Sequence, residues 1–459
     1  MKSPRLTLSV ALCLALACVA PEASPAPRAS PPGTPTAGTP VTGLPSTPAD
    51  AGLARTVAAA VAWHPSVRDA AGRVFEAGEY IDVARAGYFP QLNAGVTSER
   101  GSRNVTGYNS RQVHRFTVSA SQMLYDFGKV ASAVDRAHAI RAAARARVLL
   151  AVDQVARDVA QAWIEVRRYE GLQAIAREQK QGVAEIAGRV RQRHEQGASP
   201  RSDAMQAQAR EEAARAFELE VGAQLDRWRS QLRHLTGLPE IPATHGELPA
   251  AMQQACFPDA DAMEPPSVLV ARAEARAAEA DMANARAHTR PTLSLDGTVG
   301  RGLDAESRLG GSQDATIMLN VSAPLYQGSG NQARRRAAGY AVGSAQAAVD
   351  HARLATSQLL QDARAQAMGN AQRSGVLNDR IASLEQTRRL YAQQYLDLGT
   401  RSLLDLLNAE QEYQQARIER TDNAHDLARL QVECLHGTGR LREAFSLDGL
   451  EVGGVVLAP

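Results

Sequence analysis

Two stretches about 200 residues apart read almost alike, and this duplication constrains the fold more than any other feature. The first runs from Tyr88-Phe89-Pro90-Gln91-Leu92, through a short alternating segment, to Met123-Leu124-Tyr125-Asp126-Phe127-Gly128. The second runs from Arg290-Pro291-Thr292-Leu293, through a similar segment, to Ala323-Pro324-Leu325-Tyr326-Gln327-Gly328. Further on, His194-Glu195-Gln196-Gly197 answers to Leu396-Asp397-Leu398-Gly399, and Leu235-Thr236-Gly237 to His436-Gly437-Thr438-Gly439. One structural unit has been used twice, and each copy sets two short alternating segments between long alanine-rich ones.

The alternating segments predict strands. Leu92, Ala94 and Val96 alternate with Asn93, Gly95 and Thr97, while Phe116, Val118 and Ala120 alternate with Thr117, Ser119 and Ser121. In the second copy Leu293, Leu295 and Val299 alternate with Ser294, Asp296 and Thr298, and Ile317, Leu319, Val321 with Met318, Asn320 and Ser322. A period of two over about ten residues gives one apolar and one polar face, and such a strand is long enough to cross a bilayer at a tilt. Strands are expected near 91–100, 113–125, 291–300 and 315–325. The connections within each pair are polar and carry glycine, as exposed hairpin loops do. Four strands cannot close a barrel, and an open edge in lipid leaves backbone groups unpaired, so spanning strands imply association of several copies.

Between the strand pairs the period becomes helical. Residues 129–196 contain no proline and little glycine, and about 1.5 Å of rise per residue makes such a helix roughly 100 Å long. Val148, Val152, Val155, Val159, Ala162 and Val166 step by threes and fours, as do Leu377, Ile381, Leu384, Arg388, Tyr391, Tyr395 and Leu398. That spacing is a coiled-coil seam, in which alanine permits close approach. Helices are expected at 129–196, 199–236, 329–398 and 402–436, each long one ending at Gly197 or Gly399 before the chain doubles back. Only 4% of the 459 residues are aromatic and 22% are charged, which suits long packed helices better than a large globular core. With a net charge of +2 the chain has no field that would draw nucleic acid.

Lys2 and Arg5 precede an apolar run from Leu6 to Val19, so 1–20 reads as an export leader. Ala15-Leu16-Ala17 offers an ordinary cleavage site, and Leu16-Ala17-Cys18 also approximates a lipoprotein box, leaving lipidation of Cys18 open. Nine of the 22 prolines fall in 21–50, an extended linker. The first repeat then covers 51–245, a connector 246–265, the second repeat 266–441 and a tail 442–459. No run past the leader approaches the roughly 18 apolar residues of a spanning helix. The chain is therefore expected to be either a periplasmic scaffold of coiled coils or an outer-membrane β-barrel protein.

Four motifs in the right order carry a resemblance to the TolC-type outer-membrane channels over Thr56 to Leu441. They are Ala86-Gly87-Tyr88-Phe89-Pro90-Gln91-Leu92; Leu124-Tyr125-Asp126-Phe127-Gly128; Gly197-Ala198-Ser199-Pro200-Arg201-Ser202-Asp203; and Gly399-Thr400-Arg401-Ser402-Leu403-Leu404-Asp405-Leu406-Leu407-Asn408-Ala409-Glu410-Gln411. The resemblance implies a mainly α protein with a transmembrane β-barrel part. It would be a homotrimer with a 12-stranded barrel, a helical periplasmic tunnel and an equatorial layer. It also places the periplasmic aperture at the turn after Gly399. Arg401 matches an arginine that ties this tip, and Asp405 the first of two constricting aspartates. Asn408 stands at the second, and Leu396 at the tying tyrosine, with Tyr395 one residue away. Three copies of Asp405 would favour cations; without the resemblance, Arg401 and Asp405 read as a surface pair four residues apart. Cys256 and Cys434 would share the equatorial layer in an oxidising compartment, where they either pair or remain thiols.

Within the family, residues 399–417 and the closing Leu435-His436-Gly437-Thr438-Gly439-Arg440-Leu441 look most like the outer-membrane partners of type I secretion. This implies a periplasmic adaptor, an inner-membrane ABC transporter and an unfolded secreted polypeptide, toxin or adhesin; drug efflux is the alternative cargo. No catalytic signature appears: the ten histidines are scattered, and there is no H-E-x-x-H, P-loop or G-x-S-x-G. An enzyme with a cofactor or metal is not expected.

Overall fold

A computed structural model describes residues 51–101, 111–238, 244, 248–257, 263–302 and 313–457. The expected leader, the proline-rich linker, Cys18, the loops between paired strands and part of the connector lie outside the described residues.

The chain begins with α1 (Ala51–Trp63) and α2 (Pro65–Arg85), followed by β1 (Gln91–Gly101) and β2 (Arg111–Tyr125). Then come α3 (Lys129–Glu195) and α4 (Arg201–Thr236), which form the first hairpin. After α5 (Ala250–Gln253) the order repeats with α6 (Pro266–Ala287), β3 (Thr292–Gly302), β4 (Gln313–Ser322), α7 (Gly330–Leu396) and α8 (Leu403–Gly437). The chain closes with α9 (Leu441–Ala444), β5 (Glu451–Val452) and β6 (Val455–Val456). Both long helices have 67 residues, and their returning partners have 36 and 35.

The helix ends explain why the repeat is regular. Asp126 starts α3, its carboxylate accepting from Gly128 N at 2.8 Å and Val130 N at 2.6 Å. At the far end Gly197 takes φ +71°, and Ala198 N donates to Arg193 O at 2.8 Å, closing the helix on a left-handed residue. Gly399 repeats the device at φ +64°.

The four long strands form one antiparallel meander in the order β1-β2-β3-β4. The β2–β3 seam, Val118 opposite Val299 and Ala120 opposite Gly297, joins the two repeats. β4 ends at Ser322 rather than running to 325, because Pro324 has no N–H to donate to a ladder. Registers Val96–Phe116, Val118–Val299 and Val299–Ala315 bring the apolar positions to one face. That face is bare: Leu92, Val96, Ile317, Leu319 and Val321 are 64–74% exposed. The opposite face carries Thr117, Ser119, Ser121, Asp296 and Asn320, and Asp296 accepts from Ser121 Oγ and from Ser294 Oγ at 2.9 Å. Arg115 on β2 reaches across Gly300 to Asp314 on β4 at 2.9 Å, a crossing that any side chain at 300 would obstruct. β1 and β4 each pair on one side only among the described residues.

The main core surrounds the middle of α3. Val148, Val152, Val155, Val159, Ala162 and Val166 are all buried, as the seam predicts, and Trp163 is the largest fully buried side chain among the described residues. Around them gather α1, α2, the far ends of α4 and α8, α5 and the tail through Leu457. This belt also holds a disulfide between Cys256 and Cys434, with Cα atoms 5.2 Å apart. Arg442 Nη1 lies 3.1 Å from Asp153 Oδ1, and both side chains are almost wholly buried. Burial pushes the Asp153 carboxyl up to about 6, against the opposing pull of Arg442.

Candidate functional site

The tips of the two helical hairpins form a second, separate cluster. Ala187 and Val190 of α3 and Ala207 of α4 pack with Tyr395 of α7 and with Leu403, Leu406 and Leu407 of α8. The α8 end is organised by Ser402, whose hydroxyl accepts from Asp405 N at 3.2 Å. Leu403, Leu406 and Leu407 turn inward at helical spacing. The same spacing leaves Leu404, Asp405 and Asn408 on the outer side of the helix, where Leu404 and Asn408 are exposed and Asp405 is half-buried.

Arg401 lies at this tip with three contacts on its own hairpin. Its guanidinium stands 4.2 Å from the Tyr391 ring centroid. Its Nε donates to Gln394 Oε1 at 3.2 Å, and Nη1 lies 3.4 Å from Asp405 Oδ2. At the expected tyrosine position, Leu396 packs against the apolar cluster. Tyr391 supplies the ring instead, because the doubled-back chain brings the helix turn holding Tyr391 beside Arg401. Tyr395, one turn further on, faces the other hairpin.

At the tip itself a polar contact between hairpins comes from Arg193, which sequence reasoning did not single out. Its Nη1 donates to Tyr395 O at 3.0 Å and Leu396 O at 3.2 Å, and its guanidinium lies 5.2 Å from the Tyr395 ring. These carbonyls are unpaired acceptors at a helix C-terminus, where a cation is favoured. A signal was present: Arg193 is a cation in the last turn of α3, next to the His194 segment that answers to Leu396. At the first tip, Ser199 Oγ donates to Asp203 Oδ2 at 3.2 Å, and the His194 ring pairs with Ser199 O at 2.9 Å. Asp203 therefore holds the turn that Gly197 makes, in contact with its own hairpin.

Two turns above the α8 tip, Glu410 is buried and paired with Arg388 of α7 at 3.0 Å. Tyr413 lies between two guanidinium groups, Arg388 at 4.7 Å and Arg417 at 5.5 Å. Arg417 continues to Glu178 of α3 at 2.5 Å, and Arg210 of α4 donates to Gln411 at 2.6 Å. A groove of about 180 Å³ runs between the first hairpin and α8, lined by Val183, Phe217, Leu407 and Ile418 among others. Apart from the buried Arg388–Glu410 pair, these ties are individually weak: exposed ion pairs contribute about 0.2–1 kcal/mol, and exposed cation–π contacts about 0.5–1 kcal/mol. No group of three metal-ligating side chains occurs among the described residues.

A profile of the outer membrane efflux protein family matches residues 57–238 and 262–433, one match on each repeat. The chain belongs to this family. Among its relatives is the outer membrane efflux protein BepC of Brucella suis, 24% identical over 79% of this chain and 80% of BepC. Protein CyaE of Bordetella pertussis is 27% identical over 67% of each chain. The crystal structure of a membrane protein from Pseudomonas aeruginosa superposes with a TM-score of 0.75 at 23% identity, covering 85% of this chain and 91% of that one. The protein is thus a TolC-like outer-membrane channel component. The bare apolar strand face is its lipid-facing surface, and none of the described helices is long and apolar enough to cross a membrane.

Proposed function

We propose that three copies of this chain close a 12-stranded barrel above a tube of six helical hairpins, and that the tube conducts an unfolded polypeptide of the toxin or adhesin class. The observation that carries the assembly is the pair of open edges: β1 and β4 each lack a neighbour on one side among the described residues. In lipid, unpaired strand edges cost several kcal/mol per group, so β1 of one copy pairs with β4 of the next. Helix α7 agrees. Tyr340, Leu354 and Met368, spaced by two heptads, are 58–78% exposed, and Val376 and Leu390 repeat that interval. A neighbouring copy's helix covers this stripe.

At the tip, Asp405 and Asn408 share the outward side of α8, so in the trimer they face the pore axis. Arg401 partly neutralises Asp405 at rest. Release of the Arg401 and Arg193 ties opens the aperture. The likeness of the 399–417 turn and the closing 435–441 segment to type I secretion partners favours a protein cargo, delivered by an inner-membrane ABC transporter and a periplasmic adaptor docked on the tips.

Small-molecule efflux is the second reading, favoured by the name that BepC carries. One experiment separates them: deletion of the gene, with the culture supernatant compared by mass spectrometry and dye and detergent sensitivity measured alongside. Loss of one or a few large secreted proteins at unchanged sensitivity is the expected result. An unchanged supernatant with raised sensitivity would replace secretion by efflux.

A further inference from the structure

The described part of the connector between repeats is short. Its one helix among the described residues, α5, has four residues, too few to persist unaided. Yet Met252 and Ala255 are buried in the belt core, and Cys256 is bonded to Cys434 across 178 residues. Where the connector resumes, Met263 N donates to Thr438 O at 2.9 Å, and Glu264 O lies 3.0 Å from where a side chain on Gly439 would begin. Both described flanks of the connector therefore run against the same end of α8. Past the leader and Cys18, no other cysteine competes for this pair.

The two sulfurs are not equivalent. Cys434 is fully buried within the main core, while Cys256 is half-buried at its margin. We propose that Cys256 is the entry point for a thiol–disulfide oxidase of the periplasm, and that the bond it forms with Cys434 staples the connector to the belt end of α8 as the last covalent step of protomer folding.

The electron balance is complete. The Cys256 thiolate attacks the oxidase disulfide, forming a mixed disulfide and releasing one oxidase thiolate. The Cys434 thiolate then attacks the Cys256 sulfur, breaking the mixed bond and releasing the second oxidase thiolate. The protein dithiol loses two electrons and two protons, and the oxidase disulfide is reduced to a dithiol. The order follows from access: the resolving thiol is the one that disappears into the core as α8 seats. Because Cys434 lies in the last turn of α8, at the end of the second repeat, the bond closes only after both repeats have been exported.

The test uses the full chain exported in a Gram-negative host. N-ethylmaleimide is applied after denaturation, with and without prior reduction, and peptides are read by mass spectrometry. Both cysteines should be labelled only after reduction; labelling of both without reduction would overturn the proposal. Cys434→Ser should accumulate a mixed disulfide between Cys256 and an oxidase, and Cys256→Ser should not; the reverse pattern would overturn the order of attack. Because a serine at 434 lies in the core, the half-buried Cys256→Ser is the variant for hydrogen exchange. It should speed exchange at least tenfold across 248–257 and leave 391–408 within twofold. Equal acceleration at both places, or none at 248–257, would rule out a local staple.

Discussion

Helices α3 and α7 occupy the same place in the two repeats and have the same length, 67 residues, yet they live in different surroundings. α3 buries side chains along most of its length, from Ala137 to Val190, against α1, α2, α4, α6 and the tail. α7 buries only Ala338, Val349, Ala363, Ala367, Leu377 and Tyr395. Their mean compositions do not account for this, since both mix alanine with charged residues at helical spacing. The difference lies in what the rest of the chain supplies. Helices α1 and α2, the α5 stretch and the C-terminal tail all pack on the α3 side, which becomes a finished core. α7 is left with an apolar stripe that no described part of its own protomer covers. The duplicated unit has thus diverged into a half that carries the protomer's main core and a half that keeps an exposed apolar stripe.

The sharpest way to break this comparison is to damage each half in turn. Trp163→Ala should cost about 3–5 kcal/mol, the range for removing a large buried aromatic ring, seen as reduced thermal stability and little folded protein in the membrane fraction. Leu354→Asp together with Met368→Asp should leave the protomer's helical content intact by circular dichroism. In the proposed assembly these charges would sit between copies, so light scattering should report loss of most of the trimer. If this pair instead unfolded the protomer, the division between the two helices would be wrong.

Titration sharpens the belt side. Asp153 is raised to about 6, so its contribution is fully present below the unfolded value near 4 and is lost as pH rises through 6. Burial, helped by Arg157, pushes His436 down to about 4, so its contribution is present above the unfolded value near 6.5 and is lost as pH falls through 4. The two slopes oppose each other between pH 4 and 6, each amounting to as much as about 3 kcal/mol. Wild-type melting temperature should therefore change little across that window. Asp153→Asn should expose the histidine slope, with stability rising as pH rises, and His436→Gln should expose the opposite slope.

Smaller effects are expected at the tips. Arg193→Ala leaves the last carbonyls of α7 without their charged donor and should cost about 1–2 kcal/mol locally, visible as faster hydrogen exchange across 391–399. Arg401→Ala removes only exposed contacts and should change stability by less than about 1 kcal/mol. It frees Asp405, so single-channel recordings should show larger conductance with stronger cation preference. Unchanged currents in both variants would remove the gating role from these arginines.

The Val148–Val166 seam was legible because a buried helix face repeats with the period of the helix itself. The turns at Gly197 and Gly399 were legible because a left-handed residue at a helix end selects glycine. At the tip, the sequence pointed to Arg401 and Asp405 but not to their surroundings. Tyr391 meets Arg401 because the chain doubles back there, and Arg193 reaches the α7 carbonyls from a helix some 200 residues away in sequence. Neither contact leaves a periodic trace.

By itself, then, the sequence determined the local and repetitive features: two copies of one unit, strands with two unlike faces, long helices and their glycine turns. Those depend on backbone preferences and on neighbours within a few residues. Only the tertiary structure decided that β2 pairs with β3 across the repeat boundary, that Cys256 meets Cys434, that Asp153 lies buried beside Arg442, and that α3 rather than α7 receives α1, α2 and the C-terminal tail. Each of these joins groups far apart in the chain. Which distant groups meet is set by the packing of whole helices, in which no single pair of residues announces its partner.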